Sequence, residues 1–400
     1  MPEPMLPLAI TAFTATTALG PGLKAQSHGL AASRSGLRRN DFSHAPLDTW
    51  IGRVDGLEDM ALPADAAVWE CRNNRLAWLA MNQDGFADAA REAARRHGNE
   101  RVAVVMGTST ASIGATELAY RTLAEGGSFP QALQRPDVHQ PNSLTGFVQA
   151  VLGLEGPALT IATACSSSAK VFAAAERLIR LGVVDAAVVG GVDTLCESVL
   201  FGFNSLELVS SEPCRPFDVT RGGISIGEAG GFALLERREL APGAPRLAGY
   251  GESSDAHHMS TPHPEGLGAE LALRDALARA GLDASAVDYI NLHGTASQKN
   301  DEVEAALVAR SFRAETRASS TKGFTGHTLG AAGIVEAAYA LLAIRDGFIP
   351  GNLNASQPDP ACGPQMAWHN ERQPVRVALS NSFGFGGNNA CLAFIAGDQA

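Results

Sequence analysis

The sequence predicts an α/β protein made of two similar halves, and two stretches carry that prediction. An apolar run, Ala158-Leu159-Thr160-Ile161-Ala162, leads into Thr163-Ala164-Cys165-Ser166-Ser167-Ser168. The run Ala169 to Leu181 leads out, with Val171, Ala175, Leu178 and Ile179 at helical spacing, Gly182 as a stop and Ala186 to Gly191 as a fully apolar strand. Strand, helix, strand is the unit of a parallel sheet. The second stretch repeats that grammar: Ala318-Ser319-Ser320-Thr321 runs into a Gly-rich turn at His327, and an Ala-rich helix follows. Each half thus sets one polar residue, Cys165 or His327, on a small-residue turn before a helix. The repeat is one of pattern, not of residue identity.

The other elements follow in order. Leu6 to Gly20 is apolar and Thr-rich, a strand closing on a Gly-Pro turn, and residues 24–60 read as polar and irregular. Ala66 to Ala94 reads as helix and carries Arg72 and Arg75. Arg101 to Gly107 is a buried strand, and Ile113 to Gly126 and Asn142 to Leu152 are helices. Pro213 to Gly231 is a loop rich in Gly and charge, and Ala233 to Glu236 closes the first half. Arg237 to Arg246, with two prolines, is the linker, which gives halves of 1–240 and 245–400. In the second half Val287 to Leu292 is a strand ending at His293, and Asp301 to Ala309 is a helix. Leu329 to Ile344 is a helix with Ile334, Ala338, Leu341 and Leu342 on one face. Val375 to Leu379 and Ala390 to Ile395 are strands around a loop, Asn381 to Asn388.

Composition narrows the function. A net charge of −11 over 400 residues argues against nucleic acid as a partner. Six cysteines without paired spacing point to a reducing compartment. The start, Met1-Pro2-Glu3-Pro4, lacks the basic region of a signal peptide, and no apolar run is long enough to span a bilayer. The expectation is a soluble cytoplasmic protein with no membrane partner.

A thiol at a strand-to-helix turn feels the unpaired N–H groups of the helix start. That field is worth up to about 2 kcal/mol, or roughly 1.5 pKa units, which brings the thiolate of Cys165 within reach of neutral pH. An inert, buried cysteine is the competing reading of the same spacing. His293 and His327 stand in their own small-residue motifs, His293-Gly294-Thr295-Ala296-Ser297 and Gly326-His327-Thr328-Leu329-Gly330. Cys165, His293 and His327 lack the short paired spacing of zinc motifs, so no metal is expected. One cysteine with two distant histidines at strand ends fits a nucleophile with hydrogen-bond donors.

Together these stretches resemble the β-ketoacyl-[acyl carrier protein] synthases of the type I/II group, in the thiolase superfamily, over nearly the whole chain. The motifs are Thr163-Ala164-Cys165-Ser166-Ser167, Arg215-Pro216-Phe217-Asp218, His293-Gly294-Thr295, Ser320 to His327 with Lys322, and Asn381 to Gly387, in the family's order. The resemblance implies a five-layered thiolase fold of two pseudo-duplicated halves, normally a homodimer. It implies that Cys165 takes an acyl group from a carrier-protein thioester. Malonyl-carrier protein then loses CO₂, and its enolate attacks the Cys165 thioester. His293 and His327 would stabilise the enolate oxygen, and the backbone N–H groups of Cys165 and Phe385 the thioester oxygen. Gly384, Gly386 and Gly387 would let that loop approach closely. Lys322 would pair with Glu336, with Glu304 as a second partner. Thr295 and Ser297 would bond the pantetheine arm, and Phe203 and Phe385 would line or gate the acyl pocket. No resident cofactor is implied, because phosphopantetheine arrives on the acyl carrier protein. Because carrier proteins of this kind are acidic, Arg72 and Arg75 are the docking candidates.

Three positions depart from the pattern: Asn388 stands where Thr is common, Gly222 where Asp follows the motif arginine, and Ser297 where Thr is usual. A non-catalytic chain-length factor, the alternative partner in a heterodimer, lacks the nucleophile, and Cys165 argues against it. His327 argues against the Cys-His-Asn synthases. Cys391 is not in a motif resembling the second cysteine of degradative thiolases. The acyl chain length, and primary fatty-acid against polyene or polyketide synthesis, are open.

Overall fold

A computed structural model of the chain describes residues 2–124, 126–128 and 134–398. Ten strands form its main sheet: β1 Leu8–Thr16, β2 Val102–Gly107, β3 Ala158–Ile161, β4 Ala186–Asp193, β5 Ala229–Arg237, β6 Arg246–Ser254, β7 Tyr289–Asn291, β8 Arg317–Ser319, β9 Val377–Gly384 and β10 Asn388–Ile395. Their spatial order is β3-β2-β4-β5-β1-β6-β10-β9-β7-β8. Counted within each half, both read third, second, fourth, fifth, first. The directions repeat too: the first three spatial neighbours are parallel and the next two pairings antiparallel. The duplication seen as a pattern in the sequence is therefore a duplication of topology. The halves join through β1 and β6, where Leu8 faces Leu247 and Ala9 faces Arg246.

The helices are α1 Gly22–Ala31, α2 Arg72–Met81, α3 Phe86–His97, α4 Ile113–Ala124, α5 Ser143–Leu152, α6 Ser167–Arg180, α7 Glu197–Ser205, α8 Leu267–Ala280, α9 Gln298–Ser311, α10 Lys322–Thr325 and α11 Ala332–Asp346. Strand alternation builds the layers. Ala103 and Val105 of β2 face one core with Phe172 of α6 and Ile334 and Leu341 of α11. Val102, Val104 and Met106 face the other way, onto Leu76, Phe86 and Phe147 of the outer helices. In the second half Ile290, Leu379 and Cys391 face Ala272 and Val308 of α8 and α9. The result is helix, sheet, helix, sheet, helix, with α6 and α11 in the middle layer. There a Cβ on Gly333 would stand 2.5 Å from the Ala169 nitrogen, so only glycine lets these helices meet.

Several expectations are corrected. The helix read over Ala66 to Ala94 is a 3-10 turn, Ala64–Trp69, followed by α2 and α3; left-handed Asp84 and Gly85 separate them. Residues 24–60 hold most of α1 and two short strands, Leu37–Arg39 and Trp50–Gly52. Helix α7 went unread. Helix α11 is buried from Ala332 through Ala343, not on one face, as a middle-layer helix must be.

Candidate active site

Cys165 sits where the sheet hands over to the middle layer. Strand β3 ends at Ile161, Ala164 takes a left-handed φ of +50°, and a 3-10 turn over Ala164–Ser166 runs into α6. The serines after Cys165 brace this turn. Ser167 Oγ accepts from Thr163 N at 2.9 Å and donates to the Ala164 carbonyl at 2.6 Å. Ser168 Oγ accepts from Ile334 N at 2.9 Å, tying the start of α6 to α11.

His327 stands at the equivalent position of the second half. Its Nε2 lies 3.0 Å from Cys165 Sγ, and its ring meets that of His293 edge-on at 5.4 Å between centroids. Behind them Lys322, 1% exposed, donates to Glu336 Oε1 and to the His293 carbonyl, and its Nζ lies 3.5 Å from His293 Nδ1. An ammonium only donates, so Nδ1 must present its lone pair and Nε2 carries the His293 proton. Glu304 accepts from the backbone N–H groups of His293 and Gly294 at 2.9 and 2.8 Å. It braces the His293 turn and does not touch Lys322. His327 Nδ1 makes no hydrogen bond among the described residues, so among them the contact of Nε2 with the Cys165 thiol is what bears on its tautomer.

The electrostatics correct one expectation. Burial pushes the Cys165 thiol up to about 11, against the pull of the Lys322 charge and the Phe385 backbone N–H. The helix start does not deliver a free thiolate at neutral pH, because desolvation outweighs it. Burial and the Lys322 charge hold both imidazoles well below their usual range, so both are neutral at pH 7. Burial raises Glu304 and Glu336 to about 7.

The third wall is the turn Phe385–Gly387 between β9 and β10. A Cβ on Gly384 would stand 2.8 Å from the Thr163 carbonyl, and Gly386 takes a φ of +80°. Phe385 stacks on Phe203 of α7 at 5.4 Å. A cavity of about 490 Å³ is lined by Cys165, His293, His327, Phe203, Phe385, Thr295 and Ser297, among others. The Thr295 and Ser297 hydroxyls share a 2.9 Å hydrogen bond.

Family models of the β-ketoacyl synthase N-terminal and C-terminal domains match residues 5–241 and 245–356. The chain belongs to the β-ketoacyl synthase family. It is an acyltransferase of that type. A mitochondrial 3-oxoacyl-[acyl-carrier-protein] synthase of Arabidopsis thaliana is 40% identical over 273 residues, 63% of this chain and 59% of that protein. Nodulation protein E of Rhizobium meliloti (strain 1021) is 38% identical over 323 residues, 76% of this chain and 80% of that protein. A solved ketosynthase in complex with its chain length factor, from Xenorhabdus doucetiae, superposes with a TM-score of 0.88 at 37% identity over 98% of both chains. The ishigamide ketosynthase/chain length factor structure gives 0.88 at 28% identity, covering 98% of this chain and 99% of that one.

Two charged sites were missed from sequence. Asp193, fully buried at the end of β4, accepts from Thr108 Oγ1 at 2.6 Å, Ser109 N at 3.0 Å, Thr110 N at 2.9 Å and Gly330 N at 2.6 Å. It pins the turn after His327 to the loop after β2. A carboxylate closing a fully apolar strand was the readable signal. Glu228, also fully buried, binds Arg72 Nη2 at 2.7 Å. Arg72 is thus committed to a buried carboxylate, and Arg75 is paired with Glu70 at the part-exposed surface, so neither is a free docking cation. Of the departures, Asn388 accepts from Lys170 at 3.2 Å, and Gly222 lines the cavity.

Proposed function

We propose that this β-ketoacyl synthase elongates an acyl chain by decarboxylative condensation with malonyl-[acyl carrier protein], using Cys165 as acyl acceptor. The observation that carries the reading is the convergence of one thiol and two neutral imidazoles, buried together at the floor of a cavity. In the first half-reaction His327 Nε2, 3.0 Å from the sulfur, takes the thiol proton as Sγ attacks, then passes it to the departing pantetheine thiol. The Phe385 N–H faces the same sulfur and supports an oxyanion there. In the second, CO₂ loss puts charge on the malonyl thioester oxygen. His293 donates from Nε2, its tautomer held by Lys322; once acylation has removed the thiol proton, His327 donates from Nε2 as well, taking a solvent proton there from the cavity and giving up the one on Nδ1. No resident cofactor enters these steps.

The carrier protein is the proposed partner, and Lys299, on the cavity lining with its side chain 72% exposed, replaces Arg72 and Arg75 as docking candidate. A second subunit of the same fold, either another copy or a chain-length-factor-like homologue, is proposed to cover edge strand β3 and the adjacent surface. Leu159 on β3 is 43% exposed, and Leu118 and Tyr120 on α4 are 56% and 61% exposed. Six free cysteines fit a reducing, cytoplasmic setting, and no helix among the described residues is long and apolar enough to cross a membrane. The test is intact-protein mass after incubation with acyl-carrier protein, then malonyl-carrier protein. An acyl adduct on Cys165, discharged by malonyl-carrier protein to leave a free thiol and a β-ketoacyl group two carbons longer on the carrier protein, is expected; an adduct elsewhere refutes the assignment.

A further inference from the structure

We propose that the cluster Cys165, His293 and His327 also binds a thiophilic divalent cation of the zinc class, and that occupancy reversibly shuts the enzyme off. Binding stands on geometry; only the inhibition rests on Cys165 being the acyl acceptor. One ligand atom from each of the three residues lies within 4.8 Å of the others. The residues are 5%, 3% and 2% exposed. One thiolate and two imidazoles with a fourth position open is a ligand set that tetrahedral zinc accepts. With metal–sulfur near 2.3 Å and metal–nitrogen near 2.0–2.1 Å, such ligands stand about 3.3–3.6 Å apart. Cys165 Sγ and His327 Nε2 are 3.0 Å apart, so small side-chain shifts make room. The fourth position opens on the cavity, where water completes the shell.

The sequence argued against a metal because positions 165, 293 and 327 are far apart. That spacing rule covers ligands on one local motif. Here the fold gathers ligands from separate strand ends in two halves.

Charge and protons balance simply. Cys165 releases its thiol proton, and M²⁺ with one thiolate leaves a single positive charge beside the Lys322–Glu336 pair. His293 must present Nε2, so its ring proton moves to Nδ1 and the 3.5 Å contact to Lys322 is given up, while Lys322 keeps Glu336 and the His293 carbonyl. Hard cations such as Mg²⁺ and Ca²⁺ prefer oxygen ligands and should not compete. A bound ion takes the sulfur lone pair and both imidazoles at once, so acylation and decarboxylation stop together.

The experiment titrates the whole protein with Zn²⁺ by calorimetry and with Cd²⁺ by thiolate-to-metal absorbance. The background is His257→Ala/His263→Ala, which removes a second imidazole pair, exposed His257 and half-buried His263, 5.2 Å apart. One ion per chain with release of a thiol proton is expected. Acylating Cys165 beforehand should block binding, and a chelator should restore condensation. His327→Ala should weaken binding by more than about tenfold, since even changes outside the ligand shell cost about 10–100-fold. Persistent Zn²⁺ binding to the acyl-enzyme, or binding lost with the surface pair alone, overturns the proposal. Acylation is measured on metal-free protein in parallel. No binding with normal acylation sinks this inference alone, whereas absent acylation of Cys165 sinks the proposed function.

Discussion

Lys322 carries two tasks that an exposed lysine could not. It neutralises Glu336 in the interior, and its charge helps keep both histidines neutral. Removing one partner of a buried pair usually costs about 3–5 kcal/mol. Here the loss is softened, because Glu336 is already raised to about 7 and takes a proton readily. Lys322→Ala is therefore expected to fold with a lowered melting temperature and to lose decarboxylation. Adding Glu336→Gln should recover the melting temperature but not the rate; recovery of both would make the lysine merely structural. The histidines give a pH prediction. Their pKa values lie well below 6.5, so the neutral donors persist as pH falls through 6.5 and are lost only further down. In ring-proton NMR, which separates the imidazoles from Glu304 and Glu336 titrating at about 7, the neutral form of both histidines should persist from pH 8 to 6.5. Half-loss at about 6.5, the ordinary imidazole value, would show that burial does not govern them.

The turn between β9 and β10 and helix α2 show what elements add. Gly384→Ala would drive a Cβ to 2.8 Å from the Thr163 carbonyl and 3.2 Å from Ser166 N, on both flanks of Cys165. Acylation should fall steeply while far-UV dichroism stays unchanged; normal acylation would mean the loop adapts freely. Arg72→Ala strips the partner from fully buried Glu228, which also accepts from Val54 N and Leu195 N. A large drop in melting temperature is expected, in the range of about 3–5 kcal/mol for a broken buried pair. An altered KM for carrier-protein substrates without that drop would restore the docking reading. Elements with strong local signals were legible: the strand, turn and helix around Cys165, and its counterpart at His327. The break between α2 and α3 was also announced and was overlooked: Asp84-Gly85 is a turn dipeptide, and both residues take a left-handed φ, +55° and +71°. The thiol's raised pKa was hidden, since burial depends on packing partners far along the chain. The commitment of Arg72 to Glu228, 156 positions away, was hidden for the same reason.

At the scale of the molecule, the repeated strand order explains why nucleophile and imidazole meet: each follows the third strand of its half and precedes a middle-layer helix. Leu159→Asp, on the exposed edge of that duplicated sheet, is expected to yield monomer by native mass spectrometry; an unchanged dimer would place the interface elsewhere. Lys299→Glu should raise KM for carrier-protein substrates and leave kcat near its normal value; unchanged KM removes it from the docking surface. The division of labour is the central claim, and one paired measurement tests it: labelled CO₂ release and acyl-enzyme mass on Cys165→Gln and His327→Ala. Cys165→Gln should lose acylation yet keep CO₂ release from malonyl-carrier protein. His327→Ala should lose CO₂ release by about 10²–10³-fold, the typical effect of deleting one oxyanion donor, and still accept acyl groups slowly. Equal loss of decarboxylation in both variants, or acylation surviving in Cys165→Gln, would contradict the account.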